Sequence, residues 1–358
     1  MFNTGMVGYT ESLTDPSYSG QILCMTYPLV GNYGVPDQNI RDEFGIPKYF
    51  ESEKIQPKGL VIHSLSDVAS HWSCIKTLDE WLYEEKIPGI YSVDTRELTK
   101  IIRQKGVMMG VLTVSKEPIY KIDFRKIINV ENYNTKNFMS LVSSNDVKIY
   151  GENDKDALVL LDTGTKYSII RHLLRMGFKV IQVPWDSTYE KILAFNPVGV
   201  IISNGPGDPK ICKPTITTAK KLIDRSIPTL GICLGNQILA LSAGADTYKL
   251  KYGHRGQNKS CINQENSLSY ITSQNHGYGI DPATLTTTGF QPWFYNSDDN
   301  TIEGIIHNKK PIIAVQFHPE ASPGPNDCNY VFDKFKEIVN LNKREKLSKN
   351  KLQYRNER

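Results

Sequence analysis

Gly-Ile-Cys-Leu-Gly, at residues 231–235, decides how this chain of 358 residues is interpreted. The apolar run at 226–230 predicts a buried strand before it, and residues 237–241 begin a predicted helix that ends near Gly244. A strand, a sharp turn between glycines and a helix form a nucleophile elbow, with cysteine where many hydrolases carry serine. The helix N-terminus favours a thiolate, so Cys233 is a candidate nucleophile. A buried structural cysteine is the alternative.

The motif His-Pro-Glu at 318–320 supplies a candidate base for this thiol. It ends the apolar run 312–317, and its proline biases His318 toward an extended backbone. Because residues two apart in an extended segment point the same way, Glu320 is predicted to orient the imidazole of His318. Cys233, His318 and Glu320 then form a triad of nucleophile, base and orienting acid. A polar turn that merely closes the strand is the alternative.

A glycine-rich loop, Asn-Gly-Pro-Gly-Asp-Pro at 204–209, follows the apolar strand 198–203. Such a loop exposes backbone N–H groups that side chains do not cover. Together with the N–H of Leu234, these donors are predicted to form an oxyanion hole for a tetrahedral intermediate. An ordinary turn between a strand and a helix remains the alternative.

From residue 158 onward, apolar strands alternate with helical segments. This rhythm predicts an α/β fold with an open, mostly parallel sheet and helices on both faces. The candidate catalytic residues all follow strands, so they are expected at the carboxyl edge of that sheet, where open α/β sheets bind ligands.

The first part of the chain predicts a smaller, mixed β/α domain, with short strands, an amphipathic helix near 76–85 and a charged helix after Asp94. The polar segment 148–157 is interpreted as a linker. The predicted divisions are a first domain at 1–150, a second domain at 151–342 and a basic tail or linker at 343–358.

Composition excludes several classes of partner. The formal net charge is +4, but the tail at 343–358 alone carries +5, so we expect no nucleic-acid binding. The tail itself is expected to be a solvated, partly disordered extension. The chain lacks a long apolar stretch and a recognisable signal segment, so we expect no membrane association. Six widely spaced cysteines without a C-x-x-C pair favour reduced thiols and a cytoplasmic location.

The remaining histidines are candidates for a rival base or for metal ligands. His276 is the rival base, because it lies in a predicted pocket turn, but no carboxylate lies two residues away. The other five show no spacing typical of metal ligands, and no metal is predicted; they are His63, His71, His172, His254 and His307.

Taken together, the motifs at 231–237, 203–209 and 316–321 resemble class I, triad-type glutamine amidotransferases. Further segments resemble the carbamoyl-phosphate synthetase small chain, namely 2–11, 13–18, 33–36, 93–99 and 272–278. Residues 42–45, 49–52 and 71–72 look especially like eukaryotic glutamine-dependent forms. The likeness extends to about residue 340, and it begins inside the family's N-terminal domain, whose first strands we therefore expect to be missing.

The resemblance implies roles for particular residues. Cys233 would be the nucleophile, His318 the base and Glu320 its orienting partner. The implied contacts to L-glutamine are Ser17, Gly205, Gly207, Leu234, Gln237, Asn275, Gly277 and Tyr278. Asn236 stands where many relatives have histidine, outside the triad.

The implied activity is hydrolysis of glutamine through a cysteine thioester. The ammonia would pass to a synthetase large chain or fused synthetase domain, which makes carbamoyl phosphate for pyrimidine or arginine synthesis. This chain contains no G-x-x-x-x-G-K-[ST] phosphate loop, so ATP and divalent metal are expected only in the synthetase, and no cofactor here. Two alternatives stay open: another cysteine γ-glutamyl hydrolase or amidotransferase, and a catalytically silent module that binds a synthetase.

Overall fold

A ten-stranded sheet dominates the second half of the molecule, in a computed structural model that describes residues 1–123, 132–152 and 154–356. The described strands are β1 (Phe2–Asn3), β2 (Ile22–Met25), β3 (Leu29–Val30), β4 (Val35–Pro36), β5 (Gly59–Val61), β6 (Ser64–Leu65), β7 (Cys74–Lys76), β8 (Gly89–Ile90), β9 (Lys148–Tyr150), β10 (Ala157–Asp162), β11 (Lys179–Pro184), β12 (Gly199–Ile202), β13 (Thr229–Ile232), β14 (Thr247–Asn263), β15 (Ser269–Ile280), β16 (Phe290–Asn296), β17 (Ile302–His307) and β18 (Ile312–Val315). The described α-helices are α1 (Tyr9–Thr14), α2 (Leu78–Glu84), α3 (Thr95–Lys105), α4 (Met139–Val142), α5 (Tyr167–Arg175), α6 (Tyr189–Leu193), α7 (Lys213–Asp224), α8 (Leu234–Ser242), α9 (Pro282–Leu285) and α10 (Tyr330–Asn356).

The strands of the large sheet run in the order β15-β14-β16-β17-β18-β13-β12-β10-β11-β9. Its centre is parallel: β18, β13, β12, β10 and β11 pair side by side in one direction. The flanking strands pair antiparallel. Loops that follow β10, β12, β13 and β18 therefore meet at one carboxyl edge, as the predicted α/β fold requires.

Helices cover both faces of this sheet, because both faces of its central strands are apolar. Along β10, Leu158 and Leu160 pack with α5 and α10, whereas Val159 and Leu161 pack on the opposite face with α7 and α8. This alternation follows the two-residue period of a strand. The fold class predicted from the sequence is confirmed.

The first part of the chain forms a separate, smaller core. A parallel four-stranded sheet, in the order β1-β2-β5-β8, is accompanied by the pairs β3-β6 and β4-β7. Thr77 and Glu80 form a capping box at the start of α2, and the Asp94 side chain caps α3. Helix α2 buries Leu78 and Trp81 against these strands.

Two segments differ from their sequence-based interpretation. The linker predicted at 148–157 begins with β9, which pairs antiparallel with β11 as an edge strand of the large sheet. Residues 343–356 of the predicted disordered tail continue α10. Lys343 forms an ion pair with Asp156 at 2.6 Å, which holds the helix against the second domain. The segment is also rich in Leu, Lys, Arg and Glu, which are good helix formers. Along the described residues, no helix has the length and apolar character that a membrane span requires.

Candidate active site

Cys233 lies in a strained elbow between β13 and α8. Its backbone has φ 54° and ψ −101°, a conformation that L-residues rarely adopt. The elbow needs glycine on both sides: a Cβ on Gly231 would lie 2.7 Å from the Gly235 carbonyl oxygen, and one on Gly235 would lie 2.1 Å from the Ile202 carbonyl oxygen. The strand predicted at 226–230 is found two to three residues later, so the thiol follows the strand end directly.

His318 and Glu320 form a close, buried pair beyond the end of β18. The His318 Nδ1 and Glu320 Oε1 atoms are 2.6 Å apart, and both side chains are almost fully inaccessible. Because the carboxylate holds Nδ1, the second ring nitrogen, Nε2, is left to exchange a proton with a neighbouring group. Nε2 has no hydrogen-bond partner among the described residues.

Electrostatics favour a charged pair in this setting. Burial lowers the pKa of His318, but the charge of Glu320 and the nearby Cys233 outweigh burial and raise it to about 10. Burial raises the pKa of Glu320, but Lys166 and His318 outweigh it and lower that pKa to about 2. The imidazole is therefore protonated near neutral pH and can give a proton to a leaving group bound at Cys233.

Lys166 completes the charge balance, although sequence reasoning gave it no role. It sits in the loop after β10, where Nζ lies 3.0 Å from Glu320 Oε1 and donates to the Ala321 carbonyl at 2.6 Å. Burial opposes its charge, but Glu320, Glu51 and Asp15 outweigh burial and raise its pKa. Its place after a parallel strand was the available signal, since such loops reach the carboxyl edge.

The first domain contributes to the site through the turn that follows α1. The Asp15 carboxylate accepts hydrogen bonds from the Ser17 backbone N–H and the Asn275 side chain, both at 2.9 Å. The Ser17 hydroxyl accepts one from Asn204 at 3.0 Å. Ser17 is thus fixed at the domain junction by two buried partners. Asp15, which joins the two halves of the site, was missed from the sequence because its role depends on a contact 260 residues away.

The glycine loop after β12 packs tightly on the elbow. A Cβ on Gly205 would lie 2.0 Å from the Thr163 carbonyl oxygen and 2.8 Å from the Leu234 side chain, and Gly207 has φ +92°. Leu234 is the first residue of α8, where a backbone N–H has no intrahelical acceptor, whereas the next N–H, of Gly235, donates to the Ser203 carbonyl at 3.1 Å. This placement supports donors on two sides of the thiol.

A cavity of about 430 Å³ opens over Cys233 between the two domains. Seven of the eight predicted glutamine contacts line it, and these are Ser17, Gly205, Gly207, Gln237, Asn275, Gly277 and Tyr278. Leu234 lies beside the cavity rather than in its wall. Gln237 donates to the Tyr278 carbonyl at 3.0 Å and to Gln316 at 3.1 Å, which holds α8 against β15. His318 and Glu320 do not line this cavity.

Two of the other histidines lie together with a carboxylate, away from the triad. His254 and His276 meet Glu303, three buried residues whose ligand atoms lie within 4.8 Å of one another. The sequence showed no metal-type spacing because the three residues come from separate strands. His276 faces Glu303 rather than the thiol; the pair that meets Cys233 is His318 with Glu320.

The fold and the triad define a class of protein, and comparison with family profiles agrees. The profile "Glutamine amidotransferase class-I" matches residues 159–338, which include Cys233, His318 and Glu320. The profile "Carbamoyl-phosphate synthase small chain, CPSase domain" matches residues 1–112.

Individual relatives are more specific than the profiles about the family within this class. The chain is 47% identical to the carbamoyl phosphate synthase small chain of Pyrococcus furiosus over 95% of its own length and 90% of the relative's. The Saccharolobus solfataricus small chain is 45% identical with the same coverage. The mitochondrial carbamoyl-phosphate synthase [ammonia] of Rattus norvegicus is 44% identical, but the chain spans only 22% of it. Archaeal and mammalian relatives match about equally well.

The chain belongs to the carbamoyl phosphate synthase small-chain family, and its second domain is the glutamine amidotransferase of that family.

Proposed function

We propose that this chain hydrolyses the side-chain amide of L-glutamine to glutamate and ammonia, with Cys233 as nucleophile. The observation that carries the proposal is the Cys233 thiol beside His318, whose Nδ1 is held 2.6 Å from Glu320.

The first half of the reaction forms the thioester. The Cys233 thiolate attacks the amide carbon, and backbone N–H groups near Leu234 and Gly205 stabilise the oxyanion. Protonated His318 gives its proton to the amide nitrogen as the C–N bond breaks, so ammonia leaves and a γ-glutamyl thioester remains.

The second half restores the enzyme. Neutral His318 takes a proton from water, and the oxygen attacks the thioester carbon. The C–S bond breaks, glutamate leaves, and the thiolate faces protonated His318 again. The balance is glutamine plus water to glutamate plus ammonia, and no cofactor in this chain takes part in it.

The cavity supports the substrate assignment. Its wall offers backbone groups of Gly205, Gly207 and Gly277 with the short polar side chains of Ser17 and Asn275. Such groups suit a zwitterion at one end, while the amide at the other end lies over the sulfur. Tyr278 and Gln237 close the side formed by β15 and α8.

The partner is proposed to be a carbamoyl-phosphate synthetase, either as a separate large chain or as a fused domain. The relatives named for this enzyme support the assignment, and they include separate small chains and one longer chain. Ammonia would be used there for carbamoyl phosphate, in pyrimidine or arginine synthesis. A reducing compartment such as the cytoplasm suits a reactive thiol among six free cysteines.

The test compares Cys233→Ser with Cys74→Ser, a matched thiol change on β7 far from the elbow. Glutamine hydrolysis should be lost in Cys233→Ser and kept in Cys74→Ser. With an added synthetase, Cys233→Ser should still support synthesis from ammonia. Hydrolysis that survives in Cys233→Ser would refute the mechanism. A wild-type chain that hydrolyses glutamine without any response to the synthetase would indicate another cysteine hydrolase. A wild-type chain that never hydrolyses glutamine would indicate a catalytically silent module.

A further inference from the structure

Arg255 is a buried arginine on β14 that the proposed chemistry does not use. Only 8% of its surface is exposed, and it lines the cavity that opens over Cys233. Neither the triad nor the predicted glutamine contacts include it. Because a guanidinium stays protonated in proteins, this part of the cavity wall carries a full positive charge.

The guanidinium of Arg255 has few partners within the protein. Its Nη1 donates to the Tyr252 carbonyl, while its Nε is buried without a hydrogen-bond partner among the described residues. Burial lowers the pKa of Arg255, and the groups that oppose burial are Tyr18, Tyr133 and Cys233, none of which is a carboxylate. The charge is therefore not balanced by an acidic side chain of the described chain.

Arg171 shows how this chain treats a buried arginine that has a structural role. It is 7% exposed, and it pairs with Asp42 at 2.8 Å and with Glu51 at 3.4 Å. Arg255 is buried to the same extent but lacks such a pair among the described residues. A buried charge without a counter-charge is costly, so an anion that enters the cavity gains free energy by pairing with it.

Strand pairing places this charge beside the residues that are proposed to bind glutamine. Arg255 lies opposite Asn275 where β14 pairs with β15, so the two side chains share one face of the sheet. The Asn275 carbonyl oxygen lies 3.7 Å from Cys233 Sγ. Gly277 leaves room for the guanidinium, because a Cβ at that position would lie 3.1 Å from Arg255 Nη2.

The chemistry of glutamine identifies the anion. Away from its amide, glutamine carries one negative group, the α-carboxylate, and a guanidinium presents a planar fork of N–H donors that matches two carboxylate oxygens. Lys249 is another cation of the cavity wall, but it is exposed and already donates to Asn134 at 2.6 Å.

We propose that Arg255 binds the α-carboxylate of glutamine and thereby makes the pocket select γ-amides that carry this group over simple amides. The inference rests on the glutaminase activity proposed above, and it assigns to that site a charged substrate contact that sequence motifs did not indicate. The amide of the same molecule then extends from Arg255 past Asn275 toward the sulfur.

Substrates that lack one charged group at a time test this contact. Glutaramate is glutamine without its ammonium group, and γ-aminobutyramide is glutamine without its carboxylate. In Arg255→Met, kcat/KM for glutamine and glutaramate should fall on the order of 10- to 100-fold, as expected for a lost hydrogen bond between charged groups. The value for γ-aminobutyramide should equal that of the wild type. Arg225→Met, a change of an exposed arginine, is the matched control and should equal the wild type with all three substrates.

Binding measured without turnover separates this contact from the proposed activity. In the Cys233→Ser background, titration calorimetry should show that Arg255→Met raises the Kd for glutamine by the same factor. Binding that depends on Arg255 in a chain whose wild type does not hydrolyse glutamine would refute the activity and leave the contact standing. Circular dichroism checks the fold, and Arg255→Lys, which keeps the charge without the planar fork, serves if Arg255→Met unfolds and should show a smaller loss.

Three results would overturn the contact. The first is an equal loss with glutamine and γ-aminobutyramide in a folded variant, which would indicate a purely structural arginine. The second is an unchanged Kd for glutamine in Arg255→Met, including the case in which Lys249→Met raises it instead. The third is a chain that binds no glutamine at all, which would overturn the proposed activity as well.

Discussion

At the residue scale, the candidate site depends on a chain of buried charges that ends at the sulfur. Lys166 pairs with Glu320, Glu320 holds His318, and His318 faces Cys233. Each link offsets the desolvation of the next, since a lone buried charge costs far more than a paired one. Losing one member therefore changes the protonation of the others.

Lys166→Met removes the cation at the far end of this chain. Without it the Glu320 carboxylate binds a proton more readily and orients His318 less well, so kcat for glutamine hydrolysis should fall by about ten-fold or more, equivalent to about 1.4 kcal/mol. Steady-state kinetics and the pH profile of kcat measure it. Lys210→Met removes an exposed ion pair and should leave kcat unchanged. An unchanged kcat in Lys166→Met would show that Lys166 does not contribute to glutamine hydrolysis.

The carboxylate of Glu320 also makes stability depend on pH. Its folded-state pKa of about 2 lies below the ordinary value of 4.5, so ionised Glu320 stabilises the fold above that ordinary value. This stabilisation is lost as the pH falls toward 2. The difference in unfolding free energy between wild type and Glu320→Gln should therefore shrink on acidification, as urea denaturation at several pH values measures. A difference that stays constant across the acid range would contradict the assigned ionisation.

Much of the residue-level site was predictable, for a physical reason. Glycine on both sides of Cys233 indicates that neighbouring main chain crowds the backbone there. A carboxylate two residues from His318 indicates that both side chains lie on the same face of an extended segment. Lys166 and Asp15 carry no such local mark. Their partners lie 154 and 260 residues away, so only the folded chain reveals them.

At the scale of elements, the parallel strands were predictable because they are short, apolar and separated by helices. Their ends differ from the prediction: the elbow strand begins at Thr229 rather than Ser226, because the pairing of β13 with β12 and β18 sets its start. Edge strand β9 looked like a linker because an edge strand needs little apolar sequence. The end of α10 looked disordered because charge dominates its composition, although its residues favour a helix.

The turn after α1 is a part of the first domain that reaches the pocket. Asp15→Ala would free both the Ser17 backbone and the Asn275 amide, and each loses a buried hydrogen bond worth about 1 kcal/mol. We expect KM for glutamine to rise by roughly ten-fold with a smaller change in kcat, since Ser17 and Asn275 are proposed to bind glutamine and do not belong to the triad.

Asp37→Ala provides the matched control for that experiment. Asp37 makes a similar turn bond, to the Asn39 N–H at 2.8 Å, but on an exposed loop. Its kinetics should equal those of the wild type. If Asp15→Ala also left KM unchanged, the first domain would not contribute to glutamine binding in the way described here.

At the scale of the whole molecule, the two domains are joined by buried ion pairs as well as by the pocket. Arg171 on α5 reaches Asp42 at 2.8 Å and Glu51 at 3.4 Å, and Glu51 accepts hydrogen bonds from the Ser168 backbone and hydroxyl. Ser168, whose identity gave no signal in the sequence, thus helps fix the junction. The cavity lies at this junction, so its shape depends on both domains.

Sheet topology explains why residues 85 positions apart meet. Strands β13 and β18 are direct neighbours in the sheet, with Ile232 opposite Val315, so the loops that carry Cys233 and His318 leave the same edge side by side. The sequence pattern predicts the class of fold but not the order of the strands in the sheet. Which strands pair depends on how the helices pack, and the apolar pattern marks the helices without fixing their positions.

The most direct measurement is peptide mass spectrometry after treatment with an electrophilic glutamine analogue, such as its chloroketone. We predict one adduct per chain, on Cys233, blocked by excess glutamine and strongly slowed in His318→Asn. An adduct on another cysteine, or labelling of Cys233 at equal rates in wild type and His318→Asn, would contradict the claim that this imidazole activates this thiol for glutamine hydrolysis.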